Sequence, residues 1–254
     1  MNTNLINQLD DKNEEVRIAA ITALEGIPEA IPLLMKKLDD ENEEVRIAAI
    51  ETLTGVKEAI PLLIKKLEED EYTDVRIATI GALKSIPEAI PLLMKKLEDE
   101  ETCVSIAVIK ALTGVKEAIP LIMKKLEDEN IDEDDEVTDV HIFAIEALIG
   151  VKEAIPLIMK KLEDENEEVR IAAIETLTNV KEAIPLIMKK LEDKKTAVRI
   201  AAIKVLASVP EAIPLLMKKL EDKNKNVRMV AIETLKCIPE AMPLLNQLIK
   251  NNIS

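Results

Sequence analysis

Residues 29–55 read EAIPLLMKKLDDENEEVRIAAIETLTG, and the stretch recurs down the whole chain with few changes. Pro32 marks one column and returns as Pro61, Pro91, Pro120, Pro156, Pro185, Pro214 and Pro243, at spacings of 29, 30, 29, 36, 29, 29 and 29 residues. The residue after the valine of VRIAAI marks a second column, Arg17, Arg46, Arg76, Ser105, His141, Arg170, Arg199 and Arg228, with the same spacings. Two columns in one register make chance recurrence untenable, and a period of this length signals a stacked array.

Each unit predicts two helices. The first, such as Glu58 to Leu67, carries Ala59, Ile60, Leu63 and Leu67 at helical spacing, with Lys65 and Lys66 on the other side. Pro61 falls near its first turn, where a missing N–H costs little. The second, about Glu43 to Thr54, places Val45, Ala49, Ile50 and Leu53 on one face. Gly55 then supplies the left-handed residue that ends it, a role open also to Gly26, Gly114, Gly150 and Asn179. Neither helix can bury its apolar face alone, so stacking on neighbours is obligatory. Asn2, Asn4 and Asn246 stand where inner units carry apolar residues, as end caps require. Eight units and a further helix, Glu240 to about Lys250, predict one solenoid over residues 1–254 with an acidic insertion loop at about 128–136.

Composition agrees with an all-α chain and narrows its partners. Aromatic residues make up 1% of the sequence, so Ile, Leu, Met, Val and Ala must fill the interior, and only five glycines interrupt good helix formers. The net charge of -15 argues against a nucleic-acid backbone or an anionic membrane, both of which reward clustered Lys and Arg. A basic or neutral protein or peptide fits better. Cys103 and Cys237 lie far apart without CxxC spacing and read as reduced thiols of a cytoplasmic protein. No basic leader and no apolar run long enough to span a bilayer stands in the sequence. The expectation is a monomer without cofactor or metal.

The PEAIPLLMKKL first helix and the EEVRIAAIETL second helix resemble HEAT-like repeats, closest to the phycobilisome-lyase type, and the likeness covers nearly the whole chain. It implies an α-α superhelix, a right-handed solenoid of about eight helix pairs plus a C-terminal capping helix. It also implies that an Asp in the turn between the helices packs against the Arg of the second helix. Six residues before the Arg column stand Asp11, Asp40, Asp70, Asp99, Asp135, Asp164, Asp193 and Asp222. An Asp there can accept turn N–H groups while pairing with a guanidinium, so Asp11, Arg17, Asp40, Arg46, Asp70, Arg76, Asp164, Arg170, Asp193, Arg199, Asp222 and Arg228 read as a structural ladder. At His141 a histidine takes the place of Arg opposite Asp135. The lysine pairs, Lys36 and Lys37 through Lys218 and Lys219, read as solvated surface, because acids follow each pair within a turn or so.

The resemblance places the second helices on the concave side. The residue after the Arg column reads Ile18, Ile47, Ile77, Ile106, Ile142, Ile171, Ile200 and Met229, an unbroken apolar row. One turn further on, the column is Thr22, Glu51, Gly81, Lys110, Glu146, Glu175, Lys204 and Glu233. An aliphatic floor with a charged wall suits a peptide or a partner helix, unless neighbouring second helices hide the isoleucines. The pattern breaks in the middle of the chain, at Tyr72, Gly81, Cys103, Ser105, His141 and Phe143, which makes repeats three to five the candidate binding centre. The partner-binding set is therefore Ile47, Ile77, Gly81, Ile106, Lys110, His141, Ile142, Phe143, Glu146, Ile171 and Glu175.

Enzyme readings fare worse. HEAT-like deoxyhypusine hydroxylases hold di-iron with several His-Glu pairs, and this chain has a single histidine. HEAT-like DNA glycosylases need a basic, aromatic concave face. The acidic loop lacks the EF-hand order of ligands. The expected function is a non-enzymatic protein-interaction scaffold; the alternatives are a chaperone-like bilin lyase subunit and an inert, consensus-like repeat scaffold.

Overall fold

The computed structural model describes residues 3–99, 101–127 and 135–253, with side chains described for 4–99, 101–127 and 139–247. Among them every regular element is helical: seventeen α-helices and short 3-10 turns, with no strand. The chain divides into two compact units, Met1–Ile122 and Met123–Ser254. The first holds α1 (Thr3–Gln8), α2 (Glu14–Ala23), α3 (Ile31–Lys36), α4 (Glu43–Thr52), α5 (Ile60–Glu69), α6 (Thr73–Leu83), α7 (Ile90–Lys95) and α8 (Thr102–Ala111). The boundary falls within α9 (Ile119–Glu127). The second unit holds α10 (Asp135–Ala147), α11 (Ile155–Lys161), α12 (Glu167–Thr176), α13 (Ile184–Lys190), α14 (Thr196–Val205), α15 (Ile213–Lys218), α16 (Lys225–Lys236) and α17 (Met242–Ile253).

Local chemistry explains where each helix starts and stops. A 3-10 turn such as Lys57–Ala59 precedes each first helix from α3 onward and tucks a fully buried alanine under it. The following proline, Pro61 in α5, sits at the second helical position, among the N–H groups no helix can satisfy internally. Second helices open on asparagine where the sequence supplies it: the Asn42 side chain accepts the Val45 N–H at 3.1 Å, and Asn166 accepts the Glu168 N–H at 2.8 Å. Five of them, α2, α4, α8, α10 and α12, are followed by a residue with φ between 71° and 84°, namely Gly26, Gly55, Gly114, Gly150 and Asn179, whereas α6, α14 and α16 end with negative φ. Helix α10 departs from its siblings. It begins six residues before His141, whereas α4 and α12 begin three before their arginines, so Asp135 is helical while the others occupy a turn. Of the acidic insertion, residues 128–134 lie outside the described residues.

Within each unit the second helices stack on one another, α2 to α4 to α6 to α8, and α10 to α12 to α14 to α16. First helices pack on the second helix that follows them, as α5 does on α6 and α13 on α14. The core lies in these layers. Val45, Ala49, Ile50 and Leu53 are fully buried, as are Val198, Ala202, Ile203 and Leu206 in the second unit. Burying a side chain of this size contributes about 1.5–3 kcal/mol, so repetition of a small aliphatic set sustains a stack without aromatic residues.

Candidate functional site

The turn side of the stack is a polar seam. Asp40 has extended backbone, with φ -63° and ψ 145°, and its Oδ1 accepts the Asn42 N–H at 3.2 Å. Asp70, Asp99, Asp164, Asp193 and Asp222 accept the N–H two residues on in the same way, an Asx turn that steers the chain into its second helix. The arginine six residues later closes the turn with Nη1. Arg46 donates to the Asp40 carbonyl at 2.9 Å, and Arg170 to the Asp164 carbonyl at 2.8 Å. Its other nitrogen leaves the repeat. Arg17 Nη2 reaches Asp40 at 2.9 Å, Arg46 reaches Asp70 at 3.1 Å, and Arg170 reaches Asp193 at 3.1 Å. Arg199 grips Asp222 with both Nε, at 3.1 Å, and Nη2, at 3.2 Å. Each of these arginines thus holds its own turn by the backbone and the next repeat by the carboxylate.

The lysine pairs divide along the same line. The first of each pair, such as Lys36, Lys65 or Lys189, is exposed. The second is not solvated surface. Lys190 and Lys219 are each 6% exposed, and their Nζ atoms meet Glu163 at 2.7 Å and Glu192 at 2.8 Å in the preceding repeat. Lys37 pairs with Asp10 and Lys66 with Asp39, both at 2.8 Å. Adjacent residues point about 100° apart on a helix, so one lysine faces water while its neighbour lays its stem between repeats.

Where the Arg column fails, the seam adapts. Ser105 Oγ donates to the carbonyls of Leu97 at 3.1 Å and Asp99 at 3.4 Å, covering part of the guanidinium's work. Arg76 pairs with Glu101 instead of Asp99. Burial raises the Asp99 pKa, but the Lys96 ammonium at 3.0 Å, the Glu101 N–H and the nearby Arg76 charge outweigh it, so the carboxyl is held below its ordinary value. Asp222 behaves alike: burial pushes it up, and the Asn224 N–H and Arg199 pull it further down. The Thr73 hydroxyl and then Arg76 lower Glu101. Tyr72 belongs here too, its ring centroid 5.0 Å from the Arg46 guanidinium carbon.

The opposite, second-helix face is different in kind. Ile47, Ile77, Ile106, Ile142, Ile171 and Ile200 are all half-buried, so neighbouring helices neither hide the row nor release it. Every residue of the charged column from Thr22 to Glu233 is exposed. In the second unit these columns bound a depression of about 450 Å³ between α10 and α12. Its apolar lining is Ile142, Ile149, Ile171 and Ala172, and Glu146, Glu168, Glu175 and Thr176 complete it. Ile149 stands 63% exposed at its edge. The three glutamates have no cation within ion-pair distance among the described residues, whereas the carboxylates of the seam are held by Lys and Arg.

Two helices per period, stacked second helix on second helix and sewn by an Asp–Arg seam, match a known family: HEAT repeats, over residues 2–84, 119–185, 156–236 and 184–252. The chain belongs to the HEAT-repeat family. Among solved structures it resembles the X-ray structure of YIBA_ECOLI, with 24% identity, 93% of each chain covered and a TM-score of 0.60. It also resembles the complex of CpcE and CpcF of phycocyanin lyase from a Nostoc species, with 22% identity, 86% of this chain and 94% of that chain covered, and a TM-score of 0.50. These two likenesses establish a helical repeat fold. Human deoxyhypusine hydroxylase in complex with glycerol aligns at 19% identity over 93% of this chain and 95% of that chain, with a TM-score of 0.41. No curated protein sequence matches the chain.

Of the residues singled out in the sequence, the HEAT repeats of the second unit bring Ile142, Glu146, Ile171 and Glu175 into one depression. Ile47, Ile77, Gly81, Ile106 and Lys110 lie in the first unit. His141 is 7% exposed and belongs to the buried column, and Phe143 is half-buried. The side chain of Asp135, set opposite His141 in the sequence, lies outside the described residues. Ile149 was missed, although a signal existed. Eight residues after the Arg column the other repeats carry Glu25, Thr54, Lys84, Thr113, Thr178, Ala207 and Lys236, so a bulky aliphatic side chain there departs from its column. No helix among the described residues is long and apolar enough to cross a membrane, and no three His, Cys, Asp or Glu side chains among them form a group fit to hold a metal ion.

Proposed function

We propose that the chain is a non-enzymatic scaffold that holds a protein or peptide on its second-helix face, the concave side in repeats of this kind. The observation that carries this reading is the depression between α10 and α12, where an apolar floor of Ile142 and Ile171 remains open to solvent beside an exposed Ile149. Water-exposed aliphatic surface in a concave site is what a partner's side chain would cover. Among the described residues the turn side is a polar seam whose Arg and Asp side chains pair with one another. The scaffold works as a cytoplasmic monomer, a setting in which the exposed, unbridged thiols of Cys103 and Cys237 stay reduced.

The test is a parallel co-purification from the native cell with the parent chain and an Ile142→Lys/Ile171→Lys variant of unchanged helicity. Proteins retained by the parent and lost by the variant support the reading. Identical sets from both sink it, and bilin absorbance in the captured material transfers the assignment to a lyase subunit.

A further inference from the structure

Resting on that reading, we infer that the occupant of the α10–α12 depression is a basic segment of another protein. It places one large aliphatic side chain over Ile142, Ile149 and Ile171 and sets flanking Lys or Arg against Glu146, Glu168 and Glu175. Three independent observations carry this. The first is Ile149, an aliphatic side chain 63% exposed at a position occupied in the other repeats by Glu, Thr, Lys or Ala. A lone exposed apolar residue means little, but here it extends the open floor formed by Ile142, Ile171 and Ala172.

The second observation is the charge of the rim. Glu146 and Glu175 repeat the same position on adjacent second helices, and Glu168 lies one helical turn before Ile171. Asp139, exposed on α10, repeats the position of Glu168 and extends the acidic edge. The equivalents of Glu146 in α8 and α14 are Lys110 and Lys204, and α10 and α12 are the one neighbouring pair with glutamate at this position on both helices.

The third is that these carboxylates are unused by the fold. Glu163, Glu192, Asp193 and Asp222 in the same unit each hold a Lys or Arg, while Glu146, Glu168 and Glu175 hold none among the described residues. An unneutralised acidic rim around a desolvating apolar floor rewards cations brought in by a partner and repels acidic ones, which gives selectivity as well as attraction. A second copy of this chain, at a net charge of -15, is disfavoured by the same field.

Selection of displayed random peptides on the full chain tests this. Enriched peptides are then labelled and their affinity measured by fluorescence anisotropy on the parent and on the single variants Ile149→Ser and Glu175→Lys. Both positions are exposed, and thermal melts establish that each variant folds. The expected result is enrichment of peptides with two or more Lys or Arg around one Leu, Ile or Met, weakened about tenfold by either variant. Affinity should fall as salt rises. Peptides with neutral or acidic flanks that still lose binding in Ile149→Ser overturn the basic partner while leaving the peptide-holding face in place. Peptides indifferent to both variants, or no enrichment at all, overturn both. A concentration-dependent dimer of the parent, absent from Ile149→Ser, names a second copy as the occupant and overturns the proposal in that direction.

Discussion

Removing Arg170 should expose how the repeats are joined. Arg170 is 3% exposed, its Nη1 donates to the carbonyls of Asp164 and Glu165, both at 2.8 Å, and its Nη2 reaches Asp193 at 3.1 Å. Replacement by Met keeps the stem and deletes three charge-assisted bonds, leaving the Asp193 carboxylate, with 9% of its side chain exposed, without its guanidinium partner. Breaking a buried pair from one side costs about 3–5 kcal/mol, so Arg170→Met should cost about 4 kcal/mol. Asp193→Asn retains an acceptor for the Lys195 N–H, which the carboxylate now takes at 2.8 Å, and should cost about 2 kcal/mol. The double variant buries no unpaired charge and should cost about the same 4 kcal/mol as Arg170→Met, a coupling of about 2 kcal/mol. Arg228 serves as the internal control. It bonds the carbonyls of Asp222 and Lys223 at 2.7 and 3.1 Å, and the position 29 residues beyond Asp222 is Asn251 instead of Asp. Arg228→Met should therefore cost about 1–2 kcal/mol. Urea unfolding followed by circular dichroism gives the totals. Amide exchange in α12 gives the same comparison locally, which matters because repeat arrays depart from two-state behaviour. Additivity of Arg170→Met and Asp193→Asn within about 0.5 kcal/mol, or equal costs for Arg170 and Arg228, would refute a carboxylate link between repeats.

Acid titration of stability is a second test. Asp99, Asp222 and Glu101 have depressed pKa values in the folded chain, so their contribution is complete above the unfolded values of 3.8 and 4.5 and is lost as pH falls through the lower folded ones. Melting temperature should be level from neutrality to near those values and fall below them; a decline already under way near neutral pH would contradict the assignment. Lys190→Ala should cost about 1–2 kcal/mol through lost packing of its buried stem, and Lys189→Ala less than about 0.5 kcal/mol, a contrast that chemical denaturation resolves. Gly55→Ala and Gly81→Ala should have opposite signs, although a new Cβ meets nothing within 4 Å at either. Gly55 has φ 81°, so alanine there costs about 1 kcal/mol. Gly81 lies inside α6, where alanine gains about 0.5–1 kcal/mol of helix propensity. Equal signs in thermal melts would mean that space and not backbone conformation governs both.

The repeat, the helix pair and the left-handed stops were legible because each depends on spacing within one period: Pro61 near a helix start, Gly55 and Asn179 just past a helix end. The partner of each arginine was not. An arginine paired with the aspartate of its own repeat and one paired with the next repeat's produce identical columns, and only the placed helices separate Arg46–Asp40 from Arg46–Asp70. The lysine pairs misled for a related reason, since two identical neighbours in sequence face different surroundings one helical step apart. Half of the groove was visible as the Ile and Glu columns. Its edge at Ile149 lay in the turn after the helix, beyond the periodic window that defined those columns.

The offset of the arginine bond has a bearing on how such a chain can change length. A repeat of this kind presents a guanidinium forward and a carboxylate backward, so its two borders are complementary halves of one joint. Excising one 29-residue period, such as residues 165–193, removes one backward half and one forward half together. The repeats on either side of the cut still meet through an aspartate in the right place, and duplication of a period works equally well. Growth and shrinkage by whole periods therefore need no compensating substitution, while a cut of any other length throws the two columns out of register.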